Sequence, residues 1–142
     1  MVMLELRSSL NWLLVLSSSM IILFFKSISL STDIVSLKNI RIGKNVLIGD
    51  NVYIADNYHV FDRIDLPYKD QGIGFKSEVE VGDGTWLGEN VCVISSKIGK
   101  QCIVGANSLV INDVPDYTMV AGSPARIIKK FNHISKSWQR ID

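Results

Sequence analysis

The residues of this chain best suited to chemistry lie in "DNYHVFDRIDLPYKDQG", Asp56 to Gly72, which holds one of only two histidines, His59; the other is His133. An imidazole with an ordinary pKa near 6.5 can take a proton from a hydroxyl at neutral pH. Asp56 and Asp62 stand three residues to either side of His59, and either could hold the tautomer of its ring. A second group is cationic: "AGSPARIIKK" places Arg126, Lys129 and Lys130 just past Gly122 and Pro124. By composition alone that is a solvated basic end. Cys92 and Cys102 lack metal or redox spacing, Cys102 reads as core packing, and neither calls for a disulfide or an oxidising compartment.

The elements that must position these groups follow from an unusual period. Aliphatic residues recur at Ile42, Ile48 and Ile54, then at Val81, Leu87 and Val93, then at Ile98, Val104 and Val110. A step of six is neither 3.6 nor 2, so an amphipathic helix and an ordinary hairpin strand both fit poorly. It predicts a solenoid in which one short strand and a turn make a unit, three units make a triangular coil of about 18 residues, and each coil buries its apolar side on the next. The second position of each unit is small: Gly43, Gly49, Ala55, Gly82, Gly88, Gly99 and Gly105. That predicts a sharp turn without a Cβ clash. The fifth position, Val46, Val52, Val91, Cys102 or Ser108, is small or β-branched, and Asn and Asp crowd the corners, where left-handed backbone is tolerated. The step from Val93 to Ile98 is five and reads as a tightened corner. The histidine stretch breaks the beat once, and a loop thrown out of a solenoid is surface structure of the kind that usually carries function.

These units, above all "GDGTWLGENVCVI" and "IGKQCIVGANSLVINDVPDYTMVAGSPARIIKK", resemble the hexapeptide repeats of the left-handed β-helix acyltransferases. Maltose, galactoside and capsular or lipopolysaccharide sugar O-acetyltransferases belong to that family. The resemblance runs from about Ile42 to Asn132 and implies an all-β, left-handed parallel β-helix with a protruding loop and a short C-terminal segment. The expected organisation is a hydrophobic N-terminal segment, 1–33, a coil, 34–132, with a loop insertion at 57–78, and a C-terminal tail, 133–142.

The resemblance also implies an activity, acetyl coenzyme A dependent O-acetylation of a sugar or surface-polysaccharide hydroxyl. The family's loop carries a motif like Asp-His-x-His-x-Tyr whose second histidine is the general base. Here it reads Asp56-Asn57-Tyr58-His59-Val60-Phe61, which keeps the second histidine as His59, replaces the first by Asn57 and the tyrosine by Phe61. Asp56, Asp62, Gln71 of the loop-closing "QG" and Trp86 are the expected acceptor-side residues, the indole as a wall for a sugar face or pantetheine chain. Gly88, Gly105, Ala106 and Ser108 are expected to present an edge to the pantetheine arm, followed by the backbone at Ile111 and Asn112, with Arg126 and Lys129 on the phosphates. No metal is required. The family's coils assemble as trimers with the site between subunits.

Other readings share this coil. The acceptor could be a xenobiotic, a serine or an amino sugar, and a non-catalytic binding or structural paralogue is a further possibility. A zinc-dependent carbonic anhydrase needs three histidine ligands, which His59 and His133 do not supply with the required spacing. A net charge of +1, from 15 Lys plus Arg against 14 Asp plus Glu, gives no broad case for nucleic acid. Leu10 to Phe25, "LNWLLVLSSSMIILFF", is apolar but falls short of the roughly 20 residues that span a bilayer. It is open between membrane association and an irregular part of the fold, a signal peptide being a poorer match. Coenzyme A places the reaction in the cytoplasm, with attachment to the inner membrane face possible through residues 10–25.

Overall fold

The computed structural model describes residues 2–6, 20–28 and 31–141. Strands β1 (Val2–Leu6), β2 (Met20–Ile28), β3 (Thr32–Ser36), β4 (Asn39–Ile48) and β5 (Tyr53–Ala55) precede the interruption, which holds β6 (Asn57–His59) and β7 (Ile73–Phe75). The beat resumes with β8 (Val79–Val81), β9 (Trp86–Leu87), β10 (Cys92–Ile94), β11 (Lys97–Ile98), β12 (Ile103–Val104) and β13 (Leu109–Val110). It closes with β14 (Thr118–Ala121), β15 (Arg126–Asn132) and β16 (Ser137–Arg140).

Parallel pairing stacks these short strands into three faces. The first runs from β4 through β8 to β11, with a bridge from Ile98 to Val114. The second runs from the end of β4 through β9 and β12 to β14, and the third from β3 through β5 and β10 to β13. All nine leading aliphatic residues point inward, each 2% exposed or less, and the fifth-position Val46, Val52, Val91, Cys102 and Ser108 join them. A fully buried Val, Leu or Ile contributes about 1.5–3 kcal/mol. No single coil encloses such residues alone, so stacking holds the fold together.

The small second position has a different cause from the expected one. Gly82 has no left-handed φ, but a Cβ there would fall 2.5 Å from the backbone nitrogen of Lys100 in the next coil. Close approach of stacked backbones therefore requires glycine, while the turn itself is made by Asn45, Asn51, Asn90 and Asn107 at φ between 55° and 58°. The five-residue step is tightened at Ser95, φ 46°.

Both ends are more regular than expected. β2 pairs in parallel with β4 from Met20 opposite Asn39 to Ile28 opposite Ile48, and β1 pairs antiparallel with β3. The later part of the apolar N-terminal segment thus heads the coil; residues 7–19 lie outside the described residues. Among the described residues no helix is long and apolar enough to cross a membrane. At the other end, the expected tail supplies β16, which forms an antiparallel hairpin with β15. Tyr117, Phe131, His133 and Trp138 pack edge to face there, with ring centroids 4.5–5.5 Å apart.

Candidate active site

The interruption leaves the coil after Ala55 and rejoins it at Val79, at the edge between the third and first faces. It begins as an antiparallel ribbon in which Asn57 faces Phe75, Tyr58 faces Gly74 and His59 faces Ile73. Gly74 is required because the Tyr58 ring lies across it: an added Cβ would come within 2.6 Å of Cζ. Beyond the ribbon, the Gln71 carboxamide donates to the carbonyls of Arg63 (2.6 Å) and Leu66 (3.0 Å) and accepts from the Arg63 N–H (3.0 Å). Gln71 thus closes the loop on itself, with both amide hydrogens engaged by the loop's own carbonyls.

Asp56 departs furthest from its expected role. Its carboxylate is fully shielded and accepts hydrogen bonds from the backbone N–H groups of Leu37 (2.6 Å), Lys38 (2.8 Å) and Asn39 (2.8 Å) and from the Ser36 hydroxyl (3.2 Å). Burial pushes its pKa up, but those N–H groups and the Asn57 amide outweigh burial and hold it below the usual carboxylate range. Asp56 therefore pins the root of the arm to the corner after β3 and faces neither an acceptor nor the His59 ring. Asn57, the replacement for the family's first histidine, donates to Val35 O (3.0 Å) and Asp56 Oδ1 (3.2 Å), so it too anchors the root. The Lys38 ammonium lies 4.1 Å from the centre of the Phe75 ring.

The returning limb is tied to the coils below. Ser77 Oγ donates to Ser95 O (2.5 Å), and Lys76 Nζ donates to the carbonyl of Ile111 at 3.5 Å. Lys76 was missed from sequence. It lies in the insertion between β7 and β8, outside the repeat, so no spacing signal marks it. His59 stands exposed at the end of β6, and among the described residues no hydrogen bond engages its ring. Asp62 is exposed on the same arm with no hydrogen bond to that ring.

The expected donor-side residues divide between two edges. Gly88 and Gly105 lie in stacked corners between the second and third faces, where a Cβ on Gly88 would meet the Ala106 nitrogen at 2.7 Å. Ala106 is exposed at that corner. Ser108 does not present to this edge: it is buried, and its hydroxyl accepts from the Gly122 N–H at 3.1 Å. A fifth-position side chain points into the coil whatever its polarity. Ile111 and Asn112 follow β13 at the edge from which the arm springs, and Arg126 and Lys129 project from β15. Trp86, 48% exposed, stands in an outward row on the second face with Leu47, Ile103 and Met119.

The first face carries a shallow groove of about 660 Å³ lined by charges of alternating sign, among them Arg41, Glu80, Lys97 and Asp113. Arg41 pairs with Glu80 at 3.5 Å and Lys100 with Asp116 at 3.9 Å. The groove holds none of the expected site residues and, self-neutralised, offers no net attraction to a polyanion.

No family model matches the chain. Over 65 residues it is 49% identical to WbbJ of Escherichia coli K12, by name a lipopolysaccharide biosynthesis O-acetyl transferase; the match covers 45% of this chain and 33% of that protein. The fold matches a maltose O-acetyltransferase from Clostridium difficile 630, with TM-score 0.58 and 37% identity over 68% of this chain and 50% of that one. It also matches a hexapeptide-repeat acetyltransferase from Vibrio cholerae O1 biovar eltor solved with acetyl coenzyme A, with TM-score 0.61 and 32% identity over 70% of this chain and 54% of that one. The chain thus spans from a third to about half of the length of these relatives. The likeness read from the repeats is present in both sequence and fold, and the coil is the left-handed parallel β-helix of these acetyltransferases.

Proposed function

We propose that this chain, a left-handed hexapeptide-repeat β-helix like the acetyltransferases it matches, transfers an acetyl group from acetyl coenzyme A to a hydroxyl of a sugar or surface-polysaccharide precursor. The observation that carries this reading is the arm itself: an exposed His59, its ring without a hydrogen bond among the described residues, on a ribbon pinned at its root by Asp56 and reaching the backbone of Ile111 through Lys76. A flexible loop could not hold a base against a donor edge; a ribbon fixed on both limbs can.

In the proposed reaction the acceptor oxygen attacks the thioester carbon while His59 removes the hydroxyl proton. The tetrahedral intermediate collapses with loss of the carbon–sulfur bond, and the imidazolium returns the proton to the departing sulfur. The products are an acetyl ester and the free coenzyme A thiol. No covalent enzyme intermediate is required, because the thioester is already activated. Ala106 and the backbone at Ile111 and Asn112 would hold the pantetheine arm, Arg126 and Lys129 the phosphates, and Trp86 a wall of the acceptor pocket.

The outward rows support assembly of several copies. Leu47 (46% exposed) and Trp86 share the second face, and Tyr53 (37% exposed) stands on the third. Contiguous exposed apolar rows mark association surfaces. A trimer covering them would bring one copy's arm against a neighbour's coil.

Thiol release from acetyl coenzyme A, measured across a panel of sugar, serine, amino-sugar and chloramphenicol acceptors, tests the reading: turnover is expected with a sugar. A His59→Ala protein should keep its affinity for coenzyme A and lose transfer by on the order of a hundredfold or more. Equal turnover by the two proteins would remove His59 from the chemistry.

A further inference from the structure

The first face carries its charges in bands. One outward row runs Arg41, Glu80, Lys97 and Asp113 down the stacked coils, and a second runs Lys44, Asp83, Lys100 and Asp116. Within a coil both members carry the same sign, and from each coil to the next the sign reverses, so the face reads plus, minus, plus, minus along its length. Gly43, Gly82 and Gly99 lie between the rows and leave the charges standing as the walls of the groove. All of these charged residues are exposed except Glu80, which is half-buried. Within one chain the bands satisfy each other only in part. Arg41 reaches Glu80 at 3.5 Å and Lys100 reaches Asp116 at 3.9 Å, whereas among the described residues Lys44 and Lys97 have no carboxylate within ion-pair distance.

Bands that alternate at the ~4.8 Å spacing of stacked strands are matched by a partner with the same spacing and the same alternation. A second copy of this face has both, provided it is inverted. Turned end over end about an axis along the strands, the second copy sets its Asp113 against Arg41 and its Lys97 against Glu80. In the other row it sets its Asp116 against Lys44 and its Lys100 against Asp83. Because the axis is two-fold, each contact is made twice. Two copies apposed in the same direction would bring like bands together and repel. The order of the signs thus favours one pairing and opposes the other.

We infer that the first face is a contact between two copies of this chain in opposite directions, held by their opposed charge bands. Lys97, without an ion-pair partner in its own chain, gains Glu80 of the second copy. The trimer proposed above covers the second and third faces and leaves the first outward, so this contact joins one assembly to another. Exposed ion pairs contribute little singly, so the contact is weak, reversible and sensitive to salt. It does not depend on the acetyl-transfer reading.

Sedimentation velocity of the whole protein across salt concentrations tests the contact. At ~0.01 M salt, where charges are felt over about 30 Å, wild type should form a species at least about twice as heavy as at ~1 M, where they are felt over about 3 Å. Association through the apolar Leu47 row does not weaken with salt in that way. Glu80→Lys and Lys97→Glu should each abolish the low-salt species, because inverted copies then set like charges together. An equimolar mixture of the two variants should restore it, since each supplies the charge that the other lacks, and that recovery also shows that both are folded. Should a reversal lower the melting temperature, the uncharged Glu80→Gln and Lys97→Gln must still reduce the low-salt species. A wild-type mass independent of salt would leave the face to another occupant or to solvent and overturn the inference. A variant that associates as wild type does, or a mixture of folded variants that fails to recover, would overturn it equally.

Discussion

Lys76 Nζ lies 3.5 Å from the carbonyl oxygen of Ile111, so the returning limb of the arm is fastened to the backbone edge where the donor is proposed to lie. An exposed hydrogen bond of this kind contributes about 0.5–1 kcal/mol. Lys76→Met should therefore lower kcat/KM by roughly two- to fivefold with little change in melting temperature, because the arm lies outside the core. A steady-state assay beside a thermal melt checks this; a large fall in stability with unchanged activity would refute it.

Asp56→Ala leaves three backbone N–H groups at the corner after β3 without their acceptor. The expected destabilisation is about 2–4 kcal/mol, measured by urea unfolding, with a loss of activity because the root of the His59 ribbon is released.

Asp56 also makes stability depend on pH. Its folded pKa is lower than its unfolded one, so the native state holds fewer protons, and the stabilisation is complete above the ordinary carboxylate pKa of about 3.9. It is lost as pH falls from there through the folded value. Asp56→Asn should flatten that part of the stability curve, as denaturant midpoints between pH 6 and pH 2 would record.

Gly82→Ala places a methyl group 2.5 Å from the Lys100 nitrogen and 2.6 Å from the carbonyl carbon of Gly99, both backbone atoms that cannot swing aside. Separating two stacked coils should cost about 1–3 kcal/mol, visible as a melting temperature lower by several degrees. An unchanged melt would show that the stack is looser than its geometry indicates.

Leu47→Glu puts a charge into the outward row beside Trp86. If copies associate through this face, light scattering should show a smaller species and transfer should fall. The monomer core should survive, because Leu47 points away from it.

The coil was legible in the chain because its cause is local and repeated. Every sixth side chain must be apolar to be buried, and each unit restates the requirement, so spacing alone marks the leading residues from Ile42 to Val110 as inward. The interruption, and His59 within it, stood out for the same reason. The beat also settles two positions for which the family resemblance and turn geometry suggest otherwise. Ser108 belongs inside because the fifth position points inward, and glycine at the second position answers to the crowding of the next coil, since the φ of Gly82 is not left-handed.

What the sequence by itself determined is therefore the periodic part: three faces, an inward stripe, and one arm bearing a histidine. Only the tertiary structure decided the partners of the residues that break the period. Asp56 turned inward because three N–H groups some twenty residues earlier in the chain converge on it, and Gln71 turned back on its own loop. Lys129 came to face Arg140 across a hairpin where a tail was expected. A repeat announces its own burial through spacing, whereas a hydrogen bond or a cross-strand pair between distant residues exists only once the chain has closed on itself and set its register.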